Sequence, residues 1–522
     1  MTGLSGIYER REEYGELICR PQCGAELCHS GFRLFLGFSK NVQFLERYSP
    51  AGSFSLAIIV LVGSGIYFTI RLGFIQVRLF SVGVHTLASR RSIKAGISPL
   101  AAFLLSTAMR VGPGNMIGVT GAIAAGGPGA LFWMWVSAFF GMATAFTEGT
   151  LAQIFKEKRG DTFVGGLPFY ARKLCGNKVW VGTILSLVYI VYALMCLPAQ
   201  GFNVVTSAGA IAGLAQHIQI PVQSTFYYVV SVLVILLMAF MAFGGIRRVS
   251  RWADVLVPVM AVIYAVTALL LILFNVDSVP YFFKAVFEGA FKPEAVFGGF
   301  LGTALLQGVK RGLMSNEAGQ GTITMAAASA EARHPCEQGI ISALGVFLDT
   351  HVICTMTGFI IVMAHEWALD PAAWKAAGTY GKFLFSVNGL APEMLQVMVQ
   401  IMVSICFCLF AYTCVIGFVS FSEISANRIS SSKGFINFIR CLCVFVAAFG
   451  IACNIAGYDL SNLWAFSDLG NIIMVYCNVP MLYLGLKYVI RAARHYSDGH
   501  RDSFESEKVL GIRTAYWNGE EK

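Results

Sequence analysis

The stretch RVGPGNMIGV, Arg110 to Val119, sets Gly112, Pro113, Gly114 and Asn115 in a row inside an apolar run long enough to cross a bilayer. Glycine and proline interrupt helices, and an interruption at that depth frees amide and carbonyl groups where no water satisfies them. Such a break is stable only if it is buried in protein or lines a polar cavity. It then has a chemistry of its own. Carbonyls near Val111 and Gly114, ending the first half-helix, can hold a cation or an ammonium; amides near Asn115 and Met116, opening the second, can face a carboxylate. The expected ligand is a small charged solute in mid-membrane.

A second run has the same character. GTALLQGVKRGLMSNEAGQGT carries Gly308, Gly312, Gly319 and Gly321, with Lys310 and Arg311 among them. Interrupted helices at matching places in two halves of a chain point to an inverted-repeat transporter. The other ionisable residues in apolar runs are Glu148, Asp254, Asp349, His351, Glu423 and Asp468. Such groups default to functional or buried-pair roles. Asp349 and His351, two positions apart, point roughly 200° apart on a helix and make no facing pair. Glu317 is expected to pair with a nearby arginine as a gate or a latch.

The elements that must position these residues follow from composition. Of 522 residues, 56% are hydrophobic and 13% charged, against about 25% charged in soluble domains, so the chain reads as an integral membrane protein. Eleven apolar segments recur, near 52–70, 98–125, 129–155, 178–200, 223–243, 252–274, 297–323, 338–364, 394–424, 437–456 and 463–486. The fold class is an all-α polytopic membrane protein of about 11 transmembrane helices. With five helices from one broken segment to the other, the two halves have opposite membrane sense, as an inverted repeat requires.

Basic residues crowd alternate loops (Arg71, Arg90 and Arg91; Lys156, Lys158, Arg159, Arg172 and Lys173; Arg247, Arg248 and Arg251) and the tail after Leu486. The other loops hold Lys284, Lys292, Lys375 and Lys382. This bias puts the C-terminus in the cytoplasm and predicts a multi-pass plasma-membrane protein, in the inner membrane if the source is bacterial. The net charge of +9 belongs to these loops and not to nucleic-acid binding. The layout is a polar segment at 1–50, a transporter domain at 51–487 and a cytoplasmic tail at 488–522, and a monomer is expected. In the polar segment, Cys19, Cys23, Cys28 and His29 match no common zinc spacing. That segment lacks a signal-peptide core and would have to be translocated, so a true start near Val42 is expected. The 14 cysteines lie mostly in apolar runs and read as reduced, hydrophobe-like residues. No H-E-x-x-H, G-x-S-x-G or Walker pattern occurs, so an enzyme is not expected.

The motifs also carry a resemblance. RVGPGNMIGVTGAIAAGGPGALFWMWVSAFFGMATAFTEGTLA (Arg110 to Ala152), GGIRRVSRWADVLVP (Gly244 to Pro258), RGLMSNEAGQGT (Arg311 to Thr322), VFLDTHVICT (Val346 to Thr355) and FAYTCVIGF (Phe410 to Phe418) resemble the alanine or glycine:cation symporter family over roughly residues 52–486. The resemblance implies a five-plus-five inverted repeat of the LeuT type with one extra N-terminal helix. It also implies cotransport of a small neutral amino acid (alanine, glycine or D-alanine) with Na⁺, and no other cofactor. By carry-over, Gly112, Gly114, Asn115, Met116, Gln200, Gly308, Met314 and Phe418 would bind substrate, whereas Val111, Gly114, Thr413 and Cys414 would bind Na⁺. Asn203 departs from the family's spacing relative to Gln200. Cys414 departs more sharply, because sulfur suits soft metals and not hard Na⁺. Proton coupling, or an uncoupled amino-acid sensor on the same scaffold, are the alternatives that this departure leaves open.

Overall fold

The computed structural model describes residues 51–89, 95–218, 220–292, 303–458 and 460–518. The cysteine–histidine group and the start site expected before residue 51 lie outside them. Among the described residues, eight helices are long and apolar enough to cross a membrane. They include α4 (Ala130–Ile154), α6 (Val179–Gln216), α7 (Thr225–Ala242), the greater part of α8 (Gly245–Phe274), α13 (Gln396–Ile429), α14 (Lys433–Ile455) and α15 (Leu460–Ser497). The remaining one runs through α11 (Pro335–Val346), a π-helical segment (Phe347–Cys354) and α12 (Thr355–Ala364). A further helix, α1 (Ala51–Arg71), precedes them. Leu233, Leu236 and Phe240 on α7 and Val255, Val262 and Leu273 on α8 are exposed, as a lipid-facing surface requires.

Two spans are broken. The first is α2 (Pro99–Arg110) followed by α3 (Ile117–Gly126); the second is α9 (Thr303–Asn316) followed by α10 (Thr324–Ser329). At its start, α2 has Pro99 in the first turn and the Ser98 hydroxyl accepting from the Ala101 amide at 2.9 Å. It stops because the residue before a proline avoids helical backbone, and Gly112 is extended at φ −130°, ψ −171°. The second break turns on left-handed backbone at Glu317, Gly319 and Gly321.

Helix α4 packs against α9 and α11, whereas α6 packs along α13, α14 and α15. Gly308 and Gly312 were expected to interrupt the second span. They lie inside α9 instead, and their missing side chains let it press onto α4. A Cβ on Gly308 would sit 2.2 Å from the Ala130 carbonyl oxygen and 2.8 Å from Trp133 Cβ. Gly308→Ala is therefore expected to cost about 1–3 kcal/mol of stability. A lowered melting midpoint with unchanged substrate KM for surviving protein checks this.

Not all of the chain is helical. Strands β1 (Glu157–Arg159) and β2 (Thr162–Val164) form an antiparallel hairpin between α4 and the short helix α5 (Leu167–Leu174). At the other end of the chain, α15 continues past residue 487 to Ser497, and the tail then folds back against the hairpin side of α4. Trp517 is buried there and its indole N–H donates to the Gln153 carbonyl at 2.7 Å, beside the T-shaped Phe163–Tyr516 pair.

Candidate functional site

The two breaks face each other across a buried polar network. Asn115 closes the first break: its Oδ1 accepts from the Gly112 amide at 2.8 Å. Its Nδ2 donates to Asp349 Oδ1 at 2.6 Å. Its carbonyl accepts from the Thr357 hydroxyl at 2.8 Å. From the second broken span, Ser315 donates to Asp349 Oδ2 at 3.0 Å, and Thr350 donates to the same oxygen at 2.8 Å. Asn115 and Asp349 are fully buried, and Ser315 almost so. Asp349 is thus the junction of both broken helices and the π-helical segment that presents it. His351 lies away from it, stacked on Phe347 with ring centroids 5.2 Å apart.

The second break is held from outside. Glu148 Oε1 accepts from the Gly321 amide at 2.8 Å and from Asn478 Nδ2 at 2.5 Å. Asn478 also donates to the Gly319 carbonyl at 3.0 Å and accepts from the Tyr170 hydroxyl. Glu317 accepts from Thr322 at 2.5 Å, across the same turn. Arg110 ties the breaks together by donating from Nε to the Asn316 carbonyl at 3.1 Å, with Glu317, Glu148 and Asp349 in Coulombic range. Irregular backbone is therefore paired at depth, as a membrane interior demands.

A cavity of ≈ 60 Å³ opens between the breaks. Gly112, Gly114, Gln200, Met314, Cys414 and Phe418 all line it, with Tyr192 and Arg110. The Oε1 of Gln200 is buried without a hydrogen-bond partner among the described residues, and so are both polar atoms of Asn203, which does not line the cavity. Five other predicted residues, Val111, Asn115, Met116, Gly308 and Thr413, do not line it. Asn115 acts through the network above. Val111 and Met116 are buried among apolar side chains. Gly308 serves helix packing.

Of the Thr413–Cys414 pair, Cys414 reaches the first break, where a Cβ on Gly112 would lie 2.6 Å from its sulfur, and Thr413 does not. Cys414 Sγ lies 3.4 Å from the Met109 carbonyl oxygen and 3.7 Å from that of Ala108. Thr413, one residue earlier and so turned about 100° around the helix, donates to Phe410 O on its own helix at 3.1 Å and sits 3.9 Å from Met260 Sδ.

Sequence reading missed several residues of the cavity wall, Tyr192 and Cys196 on α6 among them. Trp464, Ser467 and Asn471 on α15 all line it, and their spacing of three and four puts them on one helix face. That spacing was a usable signal. Arg311, which also lines the cavity, and Lys310 reach Asp468 at 3.6 and 3.1 Å, joining α9 to α15.

A small cavity between two buried half-helix breaks, inside a bundle of apolar spans, defines a membrane transporter of the LeuT type. The fold is shared with MhsT, solved in complex with L-phenylalanine: TM-score 0.58, 13% identity, covering 77% of this chain and 93% of that one. Residues 41–509 match the sodium:alanine symporter family, and the chain belongs to that family. Its relatives include the amino-acid carrier protein AlsT of Bacillus subtilis, 34% identical over 89% of this chain and 95% of the relative. They also include the sodium/alanine symporter AgcS of Methanococcus maripaludis (31%, covering 88% and 98%) and the probable sodium/glutamine symporter GlnT of Bacillus subtilis (35%, covering 85% and 88%). The protein is a symporter-family transporter and not an enzyme.

Proposed function

We propose that this chain takes up a small neutral amino acid (alanine, D-alanine or glycine) together with Na⁺, across the plasma membrane with its C-terminus in the cytoplasm. The observation that carries the reading is the size and position of the cavity. At ≈ 60 Å³ it has room for roughly four waters. That suits a side chain no larger than a methyl group, with Met314, Phe418 and Tyr192 closing in. The solute would bridge both breaks, and the Lys310–Asp468 and Arg311–Asp468 pairs would latch α9 to α15 on one side of it.

Asp349, bonded to Asn115 of the first break, supplies carboxylate oxygens there. A hard cation prefers such oxygen ligands. We assign the coupling ion to the Asp349 side of the break, in place of the Val111, Gly114, Thr413 and Cys414 set. Cys414→Ser is then expected to leave the Na⁺ KM within about twofold, because the ion never met the sulfur. A Na⁺ KM lowered by tenfold or more in that variant would return the ion to Cys414 and the Met109 carbonyl.

Substrate choice is tested by competition against labelled alanine with glycine, D-alanine and glutamine. Inhibition by the first two and none by glutamine is expected. Effective competition by glutamine would contradict the small-cavity reading. Uptake driven by a pH gradient without Na⁺ would instead favour a proton on the same carboxylate, and saturable binding with no uptake would favour a sensor.

A further inference from the structure

Three arginines from three separate elements meet beside the hairpin: Arg159 on β1, Arg172 on α5 and Arg428 in the last turn of α13. Two of them flank one buried ring, with the Cζ atoms of Arg159 and Arg428 lying 5.9 and 5.8 Å from the Phe169 centroid. Gly182 of α6 admits the other contact: a Cβ there would meet Arg428 Nη2 at 3.0 Å and Arg172 Cβ at 3.4 Å. Like charges have been gathered with little to offset them. Arg428 has Arg172 and Arg159 as positive neighbours and Glu157 as the acidic one, and Glu157 Oε2 already lies 3.5 Å from Arg159 Nη2. Moreover, Arg172 Nε and the Nε and Nη2 of Arg428 are buried and make no hydrogen bond among the described residues.

A guanidinium cannot shed its proton to escape this, so the arrangement lacks an anion. The fork of an arginine matches phosphate oxygens two at a time, and a phosphate between these groups would satisfy N–H donors while offsetting their repulsion. The surroundings indicate where that phosphate comes from. At the start of α6, two residues from Gly182, Trp180 is 60% exposed and Val179 55% exposed. An exposed tryptophan at the end of a membrane-spanning helix marks the headgroup layer. The short helix α5 buries Leu167, Phe169 and Tyr170 and ends in Arg172 and Lys173 at the same place.

We propose that Arg159, Arg172 and Arg428 form a binding site for the phosphodiester headgroup of an anionic lipid. Basic pockets between membrane helices are suited to such headgroups. Occupancy would tie the hairpin and α5 to the end of α13.

The test uses the purified full chain in neutral detergent. Its melting midpoint is followed while short-chain phosphatidylglycerol, short-chain phosphatidylcholine or inorganic phosphate is titrated. Phosphatidylglycerol is expected to raise the midpoint and phosphatidylcholine to leave it. The Arg172→Gln/Arg428→Gln double variant is expected to bind phosphatidylglycerol roughly thirty-fold more weakly, since each arginine near a headgroup contributes about 1 kcal/mol. Arg428→Lys, which keeps the charge and loses the fork, serves as a milder variant, with weaker binding expected if the double variant does not survive purification. Equal phosphatidylglycerol affinity in the variants overturns the site. An equal response to inorganic phosphate overturns its assignment to lipid.

Discussion

Asp349→Asn is expected to leave the protein folded and to raise the Na⁺ KM roughly a hundred-fold, on a Coulombic attraction of about 4 kcal/mol at 4 Å in an effective dielectric of 20, partly recovered by the amide oxygen. The substitution separates charge from shape. In the wild type, Oδ1 accepts from Asn115, and Oδ2 accepts from Ser315 and Thr350. An asparagine can keep its oxygen toward Asn115 and turn its NH₂ toward the two hydroxyls, which rotate to accept. The network survives while its charge does not. Uptake at saturating alanine, measured against Na⁺ concentration, checks this. An unchanged Na⁺ KM would remove Asp349 from the ion site, and a collapse in folding would show that charge, not shape, holds the breaks together. Asp349→Ala should fare worse in stability, because it strands all three donors in the interior.

Glu148→Ala is expected to produce the largest loss of stability, about 3–5 kcal/mol, the usual cost of removing one partner from a buried charged arrangement. Glu148 does not line the cavity; it holds the backbone of the second break through Gly321 and Asn478. Without it, the Gly321 amide and the Asn478 side chain lose their acceptor in a fully packed site, and Arg110 loses one of its neighbouring carboxylates. Glu148→Gln retains an oxygen facing both donors and should recover most of the melting midpoint. If Glu148→Ala melts like the wild type and changes only substrate KM, the residue belongs to the transport path instead of the scaffold.

Much of this architecture is legible in the sequence because membrane spans announce themselves by apolar length and breaks by glycine and proline. The first break appears where Gly112–Asn115 predicts it, since Pro113 forbids helix at the residue before it. The second was harder. Glycine both interrupts helices and lets them pack closely, and only the neighbour decides which. Gly319 and Gly321 adopt left-handed backbone, whereas Gly308 and Gly312 lie against α4. The hairpin was invisible because EKR and TFV are three-residue strands, too short to show a period. Nor does composition mark the π-helical segment, which is a matter of backbone register. It carries the residue that matters most to the site. Asp349 stood out as an intramembrane carboxylate, but its partner Asn115 is 234 positions away. Side-chain direction explains the remaining difference: Thr413 and Cys414 are adjacent in sequence, yet their side chains meet different neighbours around the helix.

Under the proposed function, a cation gradient drives alanine through this site. The most direct measurement is accumulation of labelled alanine in proteoliposomes containing the purified protein, with an inward Na⁺ gradient and matched pH and potential. Internal alanine should rise above the external concentration and fall back when the Na⁺ gradient is collapsed. Equilibration to the external level regardless of Na⁺ would contradict the account.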